Sequence, residues 1–281
     1  MIIKISVIIP TFNRRSFVKD AIDSVLSQSY VVDEIIVVDN NSTDGTNTLI
    51  KKKYPQIKLI QEKKQGVSNA RNAGILIAQN DWIAFLDSDD QWIPKKIELQ
   101  VENIRNNFNK PLFVHTNELW IKNGNILNQK KKHQKLQGDC FKESLHMCLI
   151  SPSSVLIKKC LFKEFGMFKP WLKVCEDYEF WIRLTSKLPI SLVKEPCTLK
   201  YGGHADQLSR SFWGMDRFRV RALEKLMHSH DFTTEQKEEI LRVLIKKINI
   251  IISGAEKRKN NKIFRIYKFK KSYWEKYIIN G

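Results

Sequence analysis

Four short apolar runs mark the first hundred residues of the chain. They span residues 4–9, 34–38, 57–60 and 82–86, and their near-continuous hydrophobicity is typical of strands covered on both faces. Amphipathic segments with helical spacing lie between them. This alternation predicts an α/β domain built on a parallel sheet.

Local signals place the first turn and the first helix. Pro10 is expected to end the first strand, because proline cannot donate a hydrogen bond to a neighbouring strand. Ser16 is expected to be the N-cap of the following helix. The apolar face of that helix consists of Phe17, Ala21, Ile22, Val25 and Leu26.

The pattern is less regular after residue 110. Residues 112–121, 153–157 and 190–195 resemble strands, and residues 176–184 form a predicted helix with an acidic first turn. Residues 201–204 contain two glycines and are expected to form a loop. From residue 213 onward, leucine and isoleucine recur at helical spacing.

Polar side chains follow three of the first four predicted strands. They occupy residues 11–13, 39–41 and 87–89. In open parallel sheets, ligands bind beyond the carboxyl ends of the strands. The sequence therefore predicts that these residues share one edge of the sheet.

Three carboxylates, those of Asp87, Asp89 and Asp90, lie within four positions after the fourth strand. Burying unpaired carboxylates is costly, and a hard divalent cation with oxygen ligands removes that cost. The alternative is a solvated loop in which Asp90 caps a helix beginning near Pro94. The two interpretations are about equally favoured by this segment alone.

Composition adds a strongly basic balance. The formal net charge is +18, and the chain from Asp216 onward holds 17 Lys and Arg against 8 Asp and Glu. Such a charge is typical of proteins with an anionic partner, which can be nucleic acid, an acidic membrane surface or a phosphorylated substrate.

Five cysteines without CxxC spacing argue against a disulfide framework or a zinc site. With neither a signal peptide nor an 18-residue apolar run, the sequence predicts a cytoplasmic protein.

Five segments in register resemble the family 2 inverting glycosyltransferases of the GT-A fold. They read SVIIPTFNR (6–14), EIIVVDNNSTDGT (34–46), GVSNARNAG (66–74), FLDSDD (85–90) and CEDYEFW (175–181). The resemblance covers roughly residues 4–205. It implies a Rossmann-like, mostly parallel central sheet flanked by helices. It also implies a nucleotide-sugar-binding half (1–110) and an acceptor-binding half (111–212). The helical spacing and the charge of the remaining segment predict a basic helical C-terminal extension (213–281).

The resemblance further implies transfer of a sugar, with inversion, from a nucleotide-diphosphate donor. A UDP-sugar is the expected donor, and the expected acceptor is a hydroxyl of a glycan or lipid-linked sugar in cell-surface polysaccharide synthesis. Mn²⁺ or Mg²⁺ would be held by Asp87 and Asp89, with His204 as a later ligand. The general base would be Asp177, with Glu176 as the alternative. In a purely structural role, Glu176 and Asp177 would cap their helix and complement its dipole.

Donor contacts are also implied by the resemblance. Many members of the family have two consecutive aspartates where this chain has Asp39-Asn40, which weakens the prediction of a uracil base. Arg71 would contact the base or diphosphate, or be a solvated helix residue. The expected donor-binding residues are Pro10, Thr11, Phe12, Asn13, Asp39, Asn40, Arg71, Asp87 and Ser88.

The C-terminal segment 262–274 interleaves cations with aromatic residues. This composition fits either peripheral contact with the anionic inner face of a membrane or a helix that packs on the C-terminal bundle.

Alternative functions of the chain are a non-catalytic module of the same fold and a basic nucleic-acid-binding protein. No zinc-finger, homeodomain or RNA-recognition pattern occurs, so no nucleic-acid partner is expected. The missing GxGxxG and GxxxxGK[ST] motifs argue against a dinucleotide-dependent oxidoreductase and a P-loop nucleotidase.

Overall fold

The structure is a computed structural model that describes residues 2–203 and 212–280, without the side chains of 278–280. The chain forms two compact units, and both are discontinuous in sequence. The first comprises Met1–Cys140, Leu149–Lys173 and Leu188–His204, and the second comprises Phe141–Cys148, Val174–Lys187 and Ala205–Gly281. The functional division at residues 110 and 212 stays a prediction.

The first unit begins with a parallel four-stranded arrangement. Its strands are β1 (Ile5–Thr11), β2 (Glu34–Asp39), β3 (Lys58–Gln61) and β4 (Trp82–Phe85), in the spatial order β3-β2-β1-β4. All neighbouring pairs in this half are parallel. The connecting helices are α1 (Val18–Leu26), α2 (Thr46–Lys53) and α3 (Val67–Ile77). The α/β pattern predicted for the first hundred residues is therefore confirmed.

The same sheet continues with strands of mixed direction. The order after β4 is β8-β6-β9-β5, with β7 paired to β6. Only β6 and β9 are parallel here, whereas β4–β8, β6–β8, β5–β9 and β6–β7 are antiparallel. The mostly parallel sheet expected from the sequence is thus confined to the first half. The bounds are β5 (Asp90–Trp92), β6 (Phe113–Lys122), β7 (Asn125–Leu127), β8 (Val155–Lys158) and β9 (Ser191–Gly202), with helices α4 (Lys96–Asn106) and α6 (Cys160–Glu164).

Both faces of β1 are covered, which explains its continuous apolar run. Val7 and Ile9 belong to a buried cluster that also contains Ile22 of α1 and Val101 of α4. The intervening Ile8 is fully buried on the face that meets α3. Because strand side chains alternate between two covered faces, the polar residues of β1 are confined to the hydrogen-bonded Ser6 and to Thr11 at its carboxyl end.

Two local predictions were wrong. Pro10 does not end β1, which continues to Thr11. The pairing of β1 with β4 ends at Ile8, so at Pro10 the only neighbouring strand is β2. The N–H that proline lacks is therefore not needed for a bond to β4. α1 starts after Phe17 and has no side-chain cap, so Ser16 is not its N-cap. Backbone bonds from Phe17 and Val18 to the Arg14 carbonyl close the turn instead.

The second unit is helical. It contains α5 (Phe141–His146), α7 (Glu176–Thr185), α8 (Asp216–Ser229), α9 (Thr234–Lys257) and α10 (Asn261–Asn280). A capping box between Thr233 and Gln236 starts α9. The predicted C-terminal helices are confirmed. Within the described ranges, no helix is both long enough and apolar enough to cross a lipid bilayer.

Candidate functional site

The carboxyl ends of β1 and β2 lie side by side in the first unit. Thr11 and Asp39 are register partners, and the Asn40 N–H donates to the Thr11 carbonyl at 2.8 Å. On the other side of β1, the Leu86 N–H donates to the Ile8 carbonyl at 3.0 Å, so the chain leaves β4 at the same edge. The parallel register therefore brings the polar segments after three strands to one sheet edge, as the sequence predicts.

The Asn40 side chain is used inside the protein. Its amide group donates to the carbonyls of Glu62 and Lys64, both at 2.8 Å, and its oxygen accepts from the Gly66 N–H at 2.8 Å. An aspartate could not make the two donations. Asn40 thus joins β2 to the loop before α3, which accounts for an amide at this position.

Asp39 is also buried, and its carboxylate organises the turn after β2. One oxygen accepts from the Ser42 N–H at 3.1 Å and the other from Asn47 Nδ2 at 3.3 Å. Asn13, with φ of 50°, accepts from the Thr43 N–H at 2.8 Å through its side chain. These bonds hold the segments after β1 and β2 together as one surface.

Two groups on this surface have character that suits a ligand. The Thr11 hydroxyl is buried and has no hydrogen-bond partner among the described residues. The Phe12 ring, next in the chain, is 45% exposed. An unsatisfied hydroxyl beside an exposed aromatic ring can bind a molecule with both a polar edge and a flat face.

Asp87 is held by a buried arginine. Arg71 Nη2 lies 2.7 Å from Asp87 Oδ1, and the Asp87 N–H donates to Ser153 Oγ at 3.0 Å. Burial opposes ionisation of Asp87, but the charges of Arg71 and Lys200 outweigh it and lower its pKa. Arg71 is therefore not a solvated helix residue, since its guanidinium fixes the charge and position of Asp87, and its contact with the base or diphosphate stays a prediction.

The pKa of Asp89, two residues further along the chain, is shifted in the opposite direction to that of Asp87. Burial first, and the neighbouring Asp87 carboxylate second, raise the pKa of Asp89. Ser88 between them is buried. Two nearby carboxylates with opposite pKa shifts form a site where a bound cation would stabilise the ionised form of both.

Asp90 lies in β5 and does not cap α4, so that alternative is wrong. Its carboxylate accepts from Ser153 Oγ at 2.7 Å, and Lys200 Nζ on β9 lies 3.4 Å away. Asp90 and Lys200 are also register partners in the sheet. Burial raises the pKa of Asp90 to about 7, even though Lys200 acts in the opposite direction.

No group of three or more His, Cys, Asp or Glu side chains within the described ranges is arranged to hold a metal ion. Asp87 and Asp89 together still present an all-oxygen donor set, which suits Mg²⁺ or Mn²⁺ sharing its remaining positions with phosphate oxygens. The chemistry of these two residues therefore fits such an ion. His204, predicted as a third ligand, lies outside the described residues.

In the second unit, Glu176 and Asp177 open α7, as predicted. Cys175 precedes them in the left-handed conformation with φ of 65°, and its side chain makes no capping hydrogen bond to the helix. Asp177 Oδ1 accepts from the Tyr178 N–H at 2.7 Å, and Oδ2 lies 3.2 Å from Cys148 Sγ. Their carboxylates lie at the positive end of the helix dipole, and both their catalytic role and the purely structural alternative stay predictions. Glu179 is paired with Arg183 at 2.8 Å inside the unit.

Sequence patterns missed several of these partners. Ser153 and Lys200 both contact Asp90, although they lie 63 and 110 positions after it in the sequence. Neither residue belongs to a recognisable motif. Near α7, the buried Lys247 donates to the His146 carbonyl at 2.7 Å and lies 3.3 Å from Asp216. Only the tertiary pairing of distant segments identifies these residues.

A comparison with known proteins places the chain in a family. Residues 6–155, more than half of the sequence, match the profile described as Glycosyl transferase family 2. The chain belongs to glycosyltransferase family 2. The resemblance carried by the five sequence segments is therefore confirmed.

Relatives of this family 2 chain are found in several bacteria. An uncharacterized glycosyltransferase of Rickettsia conorii is 37% identical over 193 residues, which cover 66% of this chain and 30% of that protein. The Escherichia coli UDP-Glc:alpha-D-GlcNAc-diphosphoundecaprenol beta-1,3-glucosyltransferases WfgD and WfaP are each 31% identical to this chain. The match with WfgD covers 67% of this chain and 72% of WfgD, and the match with WfaP covers 65% of this chain and 70% of WfaP. The putative teichuronic acid biosynthesis glycosyltransferase TuaG of Bacillus subtilis is 29% identical, and the match covers 79% of this chain and 89% of TuaG. The chain spans under a third of the first three Rickettsia relatives.

Solved structures show the same fold. S. aureus TarS 1–349, crystallised with UDP-GlcNAc, aligns with a TM-score of 0.71 at 19% identity, over 89% of this chain and 73% of that one. A second structure of TarS 1–349 aligns with a TM-score of 0.63, and the alignment covers 98% of this chain and 92% of the TarS chain. These likenesses confirm the GT-A fold predicted for this family 2 chain.

Proposed function

We propose that the protein is an inverting glycosyltransferase that moves a sugar from a UDP-activated donor to a hydroxyl of a lipid-linked or glycan acceptor. The product would belong to a cell-surface polysaccharide. The observation that carries the proposal is the acidic loop after β4, where Arg71 holds Asp87 ionised while burial and Asp87 raise the pKa of Asp89. This charge arrangement, beside the ends of β1 and β2, is suited to a cation–diphosphate ligand.

The nucleotide would bind along the ends of β1 and β2. Phe12 offers a ring for the base, and the Thr11 hydroxyl and Asp39 carboxylate offer hydrogen bonds. Asn40 is assigned to the loop before α3, since the backbone occupies its amide. UDP as the nucleotide is supported by the UDP-Glc in the names of WfgD and WfaP and by the UDP-GlcNAc in the TarS crystal.

Asp87 and Asp89 would hold Mg²⁺ or Mn²⁺. Bound there, the ion would act as a Lewis acid that neutralises the charge developing on the diphosphate leaving group. Arg71 would keep Asp87 ionised and oriented. Ser153 would fix the backbone of the same loop through its bond with the Asp87 N–H.

Asp177 would accept the proton of the attacking hydroxyl. Its contact with the Tyr178 N–H fixes the carboxylate at the start of α7, and the other oxygen, Oδ2, lies 3.2 Å from the Cys148 thiol. Thiols are weak hydrogen-bond donors, so this contact would leave the oxygen available to accept a hydrogen bond from a substrate hydroxyl. A lipid-linked acceptor is supported by WfgD and WfaP, both named as enzymes acting on a diphosphoundecaprenol-linked sugar.

A panel of nucleotide sugars tests the proposal. The melting temperature would be measured with UDP-, GDP-, CDP- and dTDP-sugars, each with Mn²⁺, Mg²⁺ or chelator. We expect a UDP-sugar with a cation to raise it by several degrees, since ligand at about 100 times Kd adds roughly 2.7 kcal/mol. Proton NMR of the product of that donor and a diphosphate-linked acceptor would then show an inverted anomeric centre. No stabilisation by any donor with either cation would contradict the proposal.

A further inference from the structure

The last helix, α10, has one face that is used inside the helical unit. Tyr267 and Trp274 are buried seven residues apart. Lys270 lies 2.6 Å from Glu224 of α8, and Trp274 Nε1 donates to the same carboxylate at 3.1 Å. This face fixes α10 against α8, so the C-terminal segment does pack, as one of the two sequence interpretations requires.

A second face of α10 is apolar and exposed. Spacings of three, four and four residues put its members on one stripe, about 100° around the helix axis from the buried face. The aromatic side chains of this stripe are large. A contiguous patch of solvent-exposed apolar side chains is typical of an interaction surface. The stripe consists of Ile266 (43% exposed), Phe269 (75%), Tyr273 (49%) and Tyr277 (39%).

Cations line both sides of this stripe. On one side, helical spacing places the exposed Arg265 and Lys276 along its edge. On the other side, α8 and α10 line an open pocket of about 640 Å³, which includes Arg217, Arg221 and Lys225 as well as Phe269 and Tyr273 of the stripe. The Glu224 carboxylate in the same lining is paired with Lys270. The aromatic stripe therefore runs between two rows of positive charge.

We propose that this surface binds an anionic phospholipid leaflet. The aromatic stripe would insert at the level of the acyl–headgroup boundary, and the flanking cations would contact headgroup phosphates. Tyrosine suits this position because its ring is apolar and its hydroxyl stays hydrated. The inference goes beyond sugar transfer and does not rest on it.

Charge decides against a second copy of the chain as the occupant. Residues 261–277 contain six Lys and Arg and a single acidic residue, Glu275, which is already 3.5 Å from Lys271. Pairing two such stripes would bring like charges together. A leaflet of anionic lipid matches both the apolar stripe and its rows of cations.

Vesicle flotation of the full chain tests the proposal, with phosphatidylcholine vesicles that contain or lack phosphatidylglycerol. We expect binding only to the anionic vesicles, and weaker binding as salt rises. Arg265→Gln/Lys276→Gln should weaken it by roughly thirtyfold, which is about 2 kcal/mol at about 1 kcal/mol per cation. Phe269→Ser/Tyr273→Ser should weaken it by roughly tenfold or more, and both positions are exposed, so we expect the fold to persist.

Matched controls come from the first unit. Phe108 is 96% exposed, so Phe108→Ser removes an aromatic ring from elsewhere, and Lys51→Gln/Lys52→Gln removes two exposed charges from α2. Both controls should bind as the unaltered chain does. Equal binding to neutral vesicles, no binding to anionic ones, or equal losses in controls and stripe variants would overturn the proposal. So would light scattering that shows a dimer which the stripe variant dissociates without any vesicle binding.

Discussion

At the scale of single residues, Asp87 and Asp89 show how environment separates two identical side chains. They lie two positions apart, yet Arg71 lowers the pKa of one against its burial, while burial and the first carboxylate raise that of the other. The acidic cluster could be recognised from the sequence. Its partners could not, because Arg71, Ser153 and Lys200 reach it only through helix packing and strand pairing.

We expect Asp89→Asn to lower the affinity for UDP in the presence of Mn²⁺ by roughly a hundredfold or more. The substitution keeps the shape of the side chain but removes the charge that would bind the cation. Isothermal titration of UDP with and without Mn²⁺ measures this. Asp81→Asn, an exposed aspartate just before β4, is the control. Unchanged metal-dependent binding in Asp89→Asn would show that the cation is not held there.

Asp177→Asn should leave UDP binding intact and lower the rate of transfer by roughly 10²–10⁴-fold, the usual contribution of a general base. The asparagine oxygen can still accept from the Tyr178 N–H, so the start of α7 should be preserved. Titration of UDP and single-turnover transfer measure the two effects. Glu176→Gln is the matched variant, and loss of transfer in it alone would assign the base to Glu176.

At the scale of elements, strand and helix types followed from periodicity, while their ends depended on neighbours. β9 extends through Tyr201 and Gly202, where the sequence suggests a loop, because Ile121 and Lys122 of β6 pair with these two residues. The glycines could not reveal a pairing with residues that lie 80 positions earlier in the chain. Pro10 is likewise accommodated inside β1 by the early end of β4.

Gly74 provides a test of how α3 packs on β1. A Cβ at this position would lie 2.5 Å from Ile8 Cγ2, in a fully buried, β-branched side chain that cannot move aside cheaply. We therefore expect Gly74→Ala to reduce the free energy of unfolding by about 1–3 kcal/mol. Urea denaturation followed by circular dichroism measures it.

The matched variant is Gly254→Ala in α9. There the added methyl meets the end of the flexible Arg258 side chain, which can rotate away. Better helix propensity should then raise the free energy of unfolding by up to about 1 kcal/mol. Equal effects of the two substitutions would mean that α3 and β1 are not in close contact.

At the scale of the whole molecule, stability should depend on a buried ion pair that joins distant segments. Lys135 Nζ lies 2.9 Å from Glu118 on β6 and also donates to the Leu149 carbonyl at 2.8 Å. Burial raises the pKa of Glu118, but the Lys135 and Lys200 charges lower it by more, to about 2. The pair thus links β6 to two loops of the first unit.

The sign of the pH effect follows from this lowered pKa. The folded state favours ionised Glu118, so its contribution of about 3 kcal/mol is present above pH 4.5 and is lost as pH falls toward 2. Glu118→Gln should be less stable at pH 7, and its deficit should shrink with acidification. Urea midpoints measured across this range test it, with the exposed Glu102→Gln as control. A deficit that does not change with pH would contradict the ion-pair assignment.

The sequence by itself determined the alternating elements of the first hundred residues, the polar residues at the strand ends, the family and the basic C-terminal helices. These depend on periodicity and on short segments, in which each residue acts on its near neighbours. Only the tertiary structure decided the mixed second half of the sheet, the Arg71–Asp87 and Asp90–Lys200 pairs, and the exposed stripe of α10. Those features arise where chain segments far apart in sequence exclude water from each other, and local patterns carry no record of which segments will meet.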